Sequence, residues 1–178
     1  MDKPKSDRLN KIIAGCKAGD EASFSELVDL YARRCYGYFY RLSGDRTLSD
    51  DLLSELFVKL VEKIGSYKGG AFESWLFRVA SNIFYDHLRS RQRRHKLLEA
   101  HKAELELEQQ YRRPDDSDAS DRLQKQLAKL DEDTRQLIVL RFYSQMSFKE
   151  MAEMRSEPIG TTLSKLHRGL KKLRQLME

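Results

Sequence analysis

Apolar residues recur at intervals of three and four along most of this 178-residue chain, a spacing that is typical of amphipathic helices. No run of β-branched residues shows the two-residue alternation of a half-buried strand. The chain has only three prolines and nine glycines, so few residues interrupt the helical pattern. The pattern therefore predicts an all-α protein.

Three helices are predicted in the first half of the chain. The first begins near Asp20, a favourable N-cap residue, and ends at Gly44. The second starts at about Thr47 and ends at Gly65, and the third spans residues 72–90. Each has an apolar stripe that one shared core could bury.

The composition changes after the third helix. The segment PDDSDASD is acidic and poor in apolar residues, which is typical of a linker. We therefore expect two small helical domains, residues 1–95 and 122–178, joined by an acidic linker at residues 96–121.

The second domain has the pattern of a helix-turn-helix. Ser147 and Glu150 are spaced as a capping box, which opens a helix of about seven residues, FKEMAEM. The short connection RSEPIG leads to a longer basic helix, TTLSKLHRGLKKLRQL. In a helix-turn-helix, the second of these helices enters the major groove of DNA.

The final helix is divided into an apolar and a basic side. We expect its leucines to face inward: Leu163, Leu166, Leu170 and Leu173. The residues left for bases and phosphates are Ser164, Lys165, Arg168, Lys171 and Lys172. A solvated basic face near a helix C-terminus would give the same charges. The capping box and the turn spacing favour DNA binding.

The predicted helix 72–90 has three faces when its residues are placed at 100° intervals. One apolar face is expected in the core and comprises Phe72, Leu76, Val79 and Ile83. A second apolar stripe is expected against a neighbouring helix and comprises Phe77, Phe84 and Leu88. The third face carries Arg78, Asn82, Tyr85 and Arg89, with Trp75 at its border.

The third face has the chemistry of a single-strand binding surface. Arginines attract phosphates, an amide can bond a base edge, and aromatic rings can stack on bases. The following segment RSRQRRHK adds further cations, which include Arg91 and Arg93. Trp75 is expected to be mainly a core residue, because large rings at helical spacing usually are.

The overall charge permits a polyanionic partner without requiring one. The chain has 33 Lys and Arg against 28 Asp and Glu, a net charge of +5 and a pI of about 9.1. Its two cysteines, Cys16 and Cys35, have neither disulfide nor zinc spacing. No signal peptide or membrane-spanning run is present in the sequence, so a cytoplasmic location without membrane insertion is expected.

Four segments, in order, resemble the extracytoplasmic-function (ECF) group of the sigma-70 family, the initiation subunits of bacterial RNA polymerase. AGDEASFSELVDLY and SDDLLSELFVKLVEKI look like parts of family region 2. FESWLFRVASNIFYDHLRSRQRR looks like the family pattern F-x-x-W-L-x-x-(I/V)-A-x-N-x-x-x-D-x-x-R. LDEDTRQLIVLRFYSQMSFKEMAEM and GTTLSKLHRGLKKL look like region 4.

The resemblance implies site residues and partners. Promoter DNA would be melted at the −10 element by Tyr67, Lys68, Trp75, Arg78, Asn82, Tyr85, Arg89, Arg91 and Arg93. The −35 element would be read by Thr161, Ser164, Lys165, Arg168, Lys171 and Lys172. The polymerase β′ coiled coil would be bound through Asp51, Glu55, Phe57 and Leu60, and the β flap is a second polymerase contact. Family members are often held inactive by an anti-sigma factor.

The chain departs from the family pattern at five positions. Ser54 stands where Gln is common, which affects one polymerase contact. In the helix-turn-helix, Ser156 replaces the usual Gly, Glu157 an apolar residue, Ile159 a polar one and Lys165 the common Arg. A positive φ at Ser156 would be strained, and Lys contacts guanine less well than Arg.

Two other functional classes explain the sequence less well than a sigma factor does. A stand-alone helix-turn-helix regulator would need neither the third face of helix 72–90 nor the acidic SDDLLSELF surface. An enzyme is poorly supported, because the histidines are scattered and no Gly-rich phosphate loop or metal-ligand cluster occurs in the sequence. We therefore expect no catalytic residue, metal or cofactor.

Overall fold

The computed structural model describes residues 3–101, 119–143 and 146–178. Within these ranges the chain forms eight α-helices and one short 3₁₀-helix, and it forms no strand. The helices are α1 (Lys3–Lys17), α2 (Glu21–Ser43), α3 (Arg46–Lys63), α4 (Phe72–His101), α5 (Ala119–Ala128), α6 (Glu132–Tyr143), α7 (Phe148–Arg155) and α8 (Ile159–Met177), with the 3₁₀-helix at Ile64–Ser66 after α3. The prediction of an all-α fold is confirmed.

Local capping sets the ends of α2 and the start of α3. The Asp20 carboxylate accepts a hydrogen bond from the Ser23 backbone N–H at 2.8 Å. Gly44 ends α2 in the left-handed region, with φ of 70°. The Asp45 carboxylate then caps α3 by accepting from the Leu48 N–H at 3.1 Å, so α3 begins at Arg46, one residue before the predicted Thr47.

Helix α1 was not predicted from the sequence. It packs against α2 and buries Ile12, Ile13 and Cys16, each at most 4% exposed. Leu9, Ile12, Ile13 and Cys16 have the i, i+3, i+4, i+7 spacing of a helix, a signal that was available but that extends over only about two turns. Helix α1 therefore adds a fourth helix to the domain predicted at residues 1–95.

Helices α1 to α4 share one core. Its centre is formed by side chains that are at most 1% exposed: Leu27, Phe39, Leu56, Leu60 and Leu76. Burying a leucine or phenylalanine side chain of this kind contributes about 1.5–3 kcal/mol each. This core holds α4 against α2 and α3 and fixes which face of α4 points outward.

Helix α6 connects the two halves of the molecule. It contacts α8 on one side and α2 on another, and five successive residues, Gln136 to Leu140, are buried. A helix buried all round must be covered on more than one face. The second domain, α5 to α8, thus packs on the first through α6.

The predicted linker is partly helical where it is described. Helix α4 continues to His101, beyond the predicted domain end at residue 95, and α5 begins at Ala119. Residues 102–118, which hold most of the predicted linker at 96–121, lie outside the described residues.

Candidate nucleic-acid interface

Helix α4 buries both of its predicted apolar stripes. The core-facing residues are at most 7% exposed, and they are Phe72, Leu76, Val79 and Ile83. In the second stripe, Phe77 and Phe84 are buried and Leu88 is half-buried. The two apolar faces are confirmed, and α4 is left with one polar face.

That polar face carries the predicted single-strand binding residues. Arg78, Asn82 and Arg89 are exposed and Tyr85 is half-buried. Successive members are three or four residues apart, so their side chains form a row along the helix. An exposed ion pair joins Arg89 to Asp86, with Nη1 and Oδ1 3.6 Å apart. The row combines cations, an amide and a phenol ring, as binding of an unpaired base requires.

The loop before α4 is anchored by an aromatic cluster. Tyr67 is 6% exposed, and its ring lies 5.3 Å from that of Phe72 and 5.5 Å from that of Trp75. The Tyr67 hydroxyl donates to the Gly70 carbonyl at 2.6 Å, and Lys17 Nζ donates to the Tyr67 carbonyl at 2.6 Å. The family resemblance assigned Tyr67 to contact with DNA, but its side chain is buried and supports the loop from within. Half-buried Trp75 lies between core and surface.

The same loop presents an exposed cation on a glycine-dependent backbone. Lys68 is exposed, and the next two residues, Gly69 and Gly70, have φ of 102° and 94°. Residues with a Cβ rarely adopt such φ values, so this turn requires glycine. Arg91 and Arg93 are exposed further along α4.

Helix α3 has an acidic and apolar outer face. Asp51 and Glu55 are exposed, while Phe57 is half-buried. Leu60 is 0% exposed, because it lies on the opposite side of the helix, in the core. Leu60 is therefore not on the predicted polymerase surface. Sequence reasoning overlooked Val58, which is 59% exposed one turn from Glu55.

The helix-turn-helix is formed by α7 and α8. The capping box is confirmed: Ser147 N–H donates to Glu150 Oε2 at 2.8 Å, and Glu150 N–H donates to Ser147 Oγ at 3.2 Å. Helix α7 ends at Ser156, whose φ is 52°. Among the described residues, Ser156 is the one non-glycine with a positive φ. The predicted strain at this position is thus present in the structure.

Helix α8 presents most of its predicted −35 residues outward. The exposed ones are Thr161, Ser164, Arg168, Lys171 and Lys172. The buried side of α8 is formed by Thr162, Leu166 and Gly169. Leu163 is 41% exposed, so the expectation that it faces inward was wrong. Leu166 is buried and Leu170 and Leu173 pack against the core, so the other three leucines face inward as expected. Gly169, which lies beside Thr134 and Ile138, lets α8 approach α6 closely.

Lys165 is held by carboxylates instead of pointing freely outward. Its Nζ lies 2.7 Å from Glu157 Oε2 and 3.0 Å from Asp133 Oδ2. Glu157 also accepts from Arg155 Nε at 3.0 Å and from Thr162 Oγ1 at 2.9 Å. Burial acts to raise the pKa of Glu157, but the three donors outweigh it and lower that pKa.

We call these five residues, Asp133, Arg155, Glu157, Thr162 and Lys165, the Glu157 cluster. The sequence marked Glu157 only as a departure from an apolar position. In the sequence, Glu157 lies two residues after Arg155 and eight residues before Lys165. Because a tight turn is predicted at this point, the spacing could have indicated ion pairs among the three residues. The cluster fixes the angle between α7 and α8.

The Glu157 cluster also reaches the face of α4. The Arg155 guanidinium donates to the Tyr85 hydroxyl, with Nη1 and Oη 2.9 Å apart. Burial raises the pKa of Tyr85, and the adjacent Arg155 cation partly opposes that change. Tyr85 therefore stays a neutral phenol near neutral pH, with its hydroxyl engaged by the second domain.

In the described ranges, no helix has the length and apolar character needed to cross a membrane. In the same ranges, no three His, Cys, Asp or Glu side chains are grouped so that they could hold a metal ion. Cys16 and Cys35 are buried, and burial raises the pKa of Cys35 to about 12.

Comparisons with known proteins match both halves of the chain. Residues 27–94 match the family model described as Sigma-70 region 2, and residues 120–173 match that described as Sigma-70, region 4.

Three similar proteins align over nearly their full lengths. The chain is 29% identical to the ECF RNA polymerase sigma factor SigW of Bacillus subtilis, covering 94% of this chain and 95% of SigW. It is 32% identical to the RNA polymerase sigma factor CarQ of Myxococcus xanthus, covering 89% of this chain and 91% of CarQ. The sigma factor RpoE of Bartonella quintana, solved with the anti-sigma factor NepR, has a TM-score of 0.70 at 25% identity, covering 86% and 96% of the two chains.

Proposed function

This chain belongs to the ECF group of the sigma-70 family of RNA polymerase sigma factors, and on that basis we propose which of its surfaces recognise and open a promoter. A sigma factor binds core RNA polymerase and promoter DNA and directs the start of transcription. The observation that carries the assignment is the polar face of α4, because it combines cations, an amide and a ring on a helix buried on its other two faces.

The polar face of α4 holds the unpaired −10 strand. Asn82 bonds the edge of a flipped base, the Tyr85 ring stacks on a base, and Arg78 and Arg89 neutralise phosphates. Flipping a base costs a few kcal/mol, so ring and amide contacts must offset that cost. Lys68, Arg91 and Arg93 extend the positive field, and Trp75 borders the base site.

Helix α8 reads the −35 element in the major groove. Thr161, Ser164 and Arg168 lie on its exposed side, and Lys171 and Lys172 follow toward its C-terminus. Arg168 can contact guanine by two hydrogen bonds, a geometry that its planar guanidinium fits better than the ammonium of Lys165 does. Lys165, engaged by Glu157 and Asp133, contributes to base reading only as those ion pairs rearrange.

The outer face of α3 docks on the β′ coiled coil of core polymerase. Asp51 and Glu55 supply negative charge, and Val58 supplies an exposed apolar contact between them and the end of the helix. Half-buried Phe57 lies at the edge, and Leu60 supports the surface from the core. Apolar contacts flanked by charge are typical of protein interfaces.

The other partners follow from the family. The β flap of core polymerase binds the second domain, and an anti-sigma factor is a partner of the class seen with RpoE of Bartonella quintana. The chain acts as a non-catalytic subunit in the cytoplasm, where the polymerase works. A stand-alone helix-turn-helix regulator is not favoured, since it would use neither the α4 face nor the α3 surface.

The substitution Asn82→Ala tests this assignment. Reactivity of −10 thymines toward permanganate measures promoter opening, and fluorescence anisotropy measures core binding. We expect opening to fall by about five- to 150-fold, since one base contact contributes about 1–3 kcal/mol, while core affinity is unchanged. Ser25→Ala, on the exposed side of α2, is the matched control. Equal losses of core binding and opening would contradict the assignment of this face.

A further inference from the structure

We propose that Leu163, together with Ile159 one turn before it on α8, reads the 5-methyl group of thymine in the −35 element. The proposal rests on the function assigned to α8 above. It deepens that function, because it names the base that the start of this helix selects and the atom of that base by which the selection is made.

The start of α8 carries an apolar strip on its exposed side. Ile159 is 48% exposed and Leu163 is 41% exposed, although both side chains are large and apolar. Residues four apart are neighbours on a helix surface, so the two side chains form one strip. Four other large apolar side chains are exposed in the described ranges, and they lie on α2, α3 and α6. The strip lies at the N-terminal end of α8, the part of a recognition helix that contacts base edges.

The surface beside the strip is open. A second row of exposed residues runs next to it at intervals of four: Gly160, Ser164 and Arg168. A Cβ added at Gly160 would meet no atom within 4 Å. Because glycine has no side chain, a base edge can approach the backbone at this point and lie against Leu163.

The charges of α8 leave its first turns to uncharged contacts. Residues 159–164 contain no charged side chain. The next cation, Lys165, is held 2.7 Å from Glu157 and 3.0 Å from Asp133. The exposed cations that follow begin at Arg168. The first two turns therefore discriminate between bases by hydroxyl groups and apolar side chains.

Thymine is the base that an apolar side chain selects in the major groove. Adenine, guanine and cytosine present hydrogen-bonding groups there, whereas thymine adds a 5-methyl group to its acceptor. Contact between this methyl group and Leu163 removes apolar surface of both from water, which favours binding. A hydrogen-bonding group placed against Leu163 would lose its bond to water and gain no partner. The strip thus attracts thymine and disfavours the other bases.

Deoxyuridine tests this contact directly, because it differs from thymidine only in lacking the 5-methyl group. The full chain is used in complex with core polymerase, on a promoter fragment recovered from a genomic library. Each thymine of the −35 element is replaced in turn by deoxyuridine, and competition binding measures the affinity. At the thymine that Leu163 contacts, we expect a loss of roughly fourfold, the effect of removing one buried methyl group.

Variants of the strip should remove this sensitivity. With Leu163→Ala, the ratio of thymine to deoxyuridine affinities at that position should fall from roughly fourfold to about one. Leu163→Met keeps an apolar side chain of similar size and should retain most of the ratio. Ile159→Ala should lower the ratio at this thymine or the next one. Leu30→Ala is the matched control, because it removes the same atoms from a leucine that is 50% exposed on α2, and it should leave the ratio unchanged.

Footprinting of the same complexes separates this proposal from the assigned function. An unprotected −35 element would overturn the assignment of α8 and this proposal with it. A protected element whose affinity is unchanged by every replacement of thymine would overturn this proposal alone. A Leu163→Ala complex that keeps the full ratio would also overturn it, and weaker core binding by that variant would assign the strip to a contact with the polymerase.

Discussion

Individual side chains of the turn between α7 and α8 carry much of the geometry of the DNA-binding domain. Ser156 holds the left-handed backbone that ends α7, and Glu157 joins Arg155, Thr162 and Lys165. The strain at Ser156 could be predicted from the turn pattern, because few residue types tolerate a positive φ. The Glu157 cluster could be predicted only in part. The spacing of Arg155, Glu157 and Lys165 around the turn indicated ion pairs, but the contacts of Arg155 and Lys165 with Asp133 depend on how α6 packs against α7 and α8.

Replacing Ser156 with glycine should stabilise the protein. A left-handed conformation costs a residue with a Cβ roughly 1 kcal/mol, and glycine removes that cost. Part of the gain is lost because glycine makes the unfolded chain more flexible, so we expect about 0.5–1 kcal/mol. Urea denaturation measures the change, with Ser156→Ala as the control that should give no gain. A lower stability for Ser156→Gly would show that the serine side chain is needed at the turn.

Replacing Glu157 with glutamine should destabilise the protein by about 1–3 kcal/mol at neutral pH, because charge-assisted hydrogen bonds to Arg155 and Lys165 are lost. The pKa of Glu157 in the folded protein lies below its ordinary value of 4.5. Its stabilising effect is therefore present above about pH 4.5 and is lost as the pH falls through the lower folded-state value.

The difference between the unaltered protein and Glu157→Gln should accordingly shrink on acidification. Urea denaturation at pH 7 and at about pH 4 measures it. Glu153→Gln, exposed on α7, is the control and should have little effect at either pH. A difference that is the same at both pH values would show that the Glu157 charge does not hold the cluster.

At the scale of the helices, contacts between elements decided what the sequence pattern left open. The faces of α4 were predictable because large rings and charged residues separate cleanly by angle. The orientation of α8 was predictable only in part. Its other three leucines face the core, but Leu163 is 41% exposed, and Gly169 forms the close contact with α6. Close helix packing favours small residues that a search for hydrophobic stripes does not weigh.

The contact between α8 and α6 gives a prediction at this scale. A Cβ at Gly169 would lie 2.3 Å from Thr134 Cγ2, so Gly169→Ala should force the helices apart. Overpacking costs about 1–3 kcal/mol, and the better helix propensity of alanine returns up to about 1 kcal/mol. We expect a net loss of about 1–2 kcal/mol, measured by thermal or urea unfolding.

Gly160 is the matched control in the same helix, because an added Cβ there meets nothing within 4 Å. Gly160→Ala should leave stability unchanged or raise it slightly. If both variants gave the same change, α8 would not pack against α6 through Gly169.

For the whole molecule, the sequence indicated two helical modules but not how they pack. The charges of the α4 face and of α8 are visible in the sequence as two basic segments. Only the packing of α6 on α2 places acidic residues of the second domain near the first basic segment. The hydrophobic pattern hides this contact, because all-round burial of Gln136 to Leu140 resembles the core of a single domain.

A sigma factor that opens promoters through the polar face of α4 must start transcription when it is bound to core polymerase. Run-off transcription with purified bacterial core polymerase and a library of genomic promoter fragments tests this requirement most directly. We expect defined transcripts that require the chain and that are lost with Asn82→Ala while core binding persists. Absence of any chain-dependent transcript, or full activity of Asn82→Ala, would contradict it.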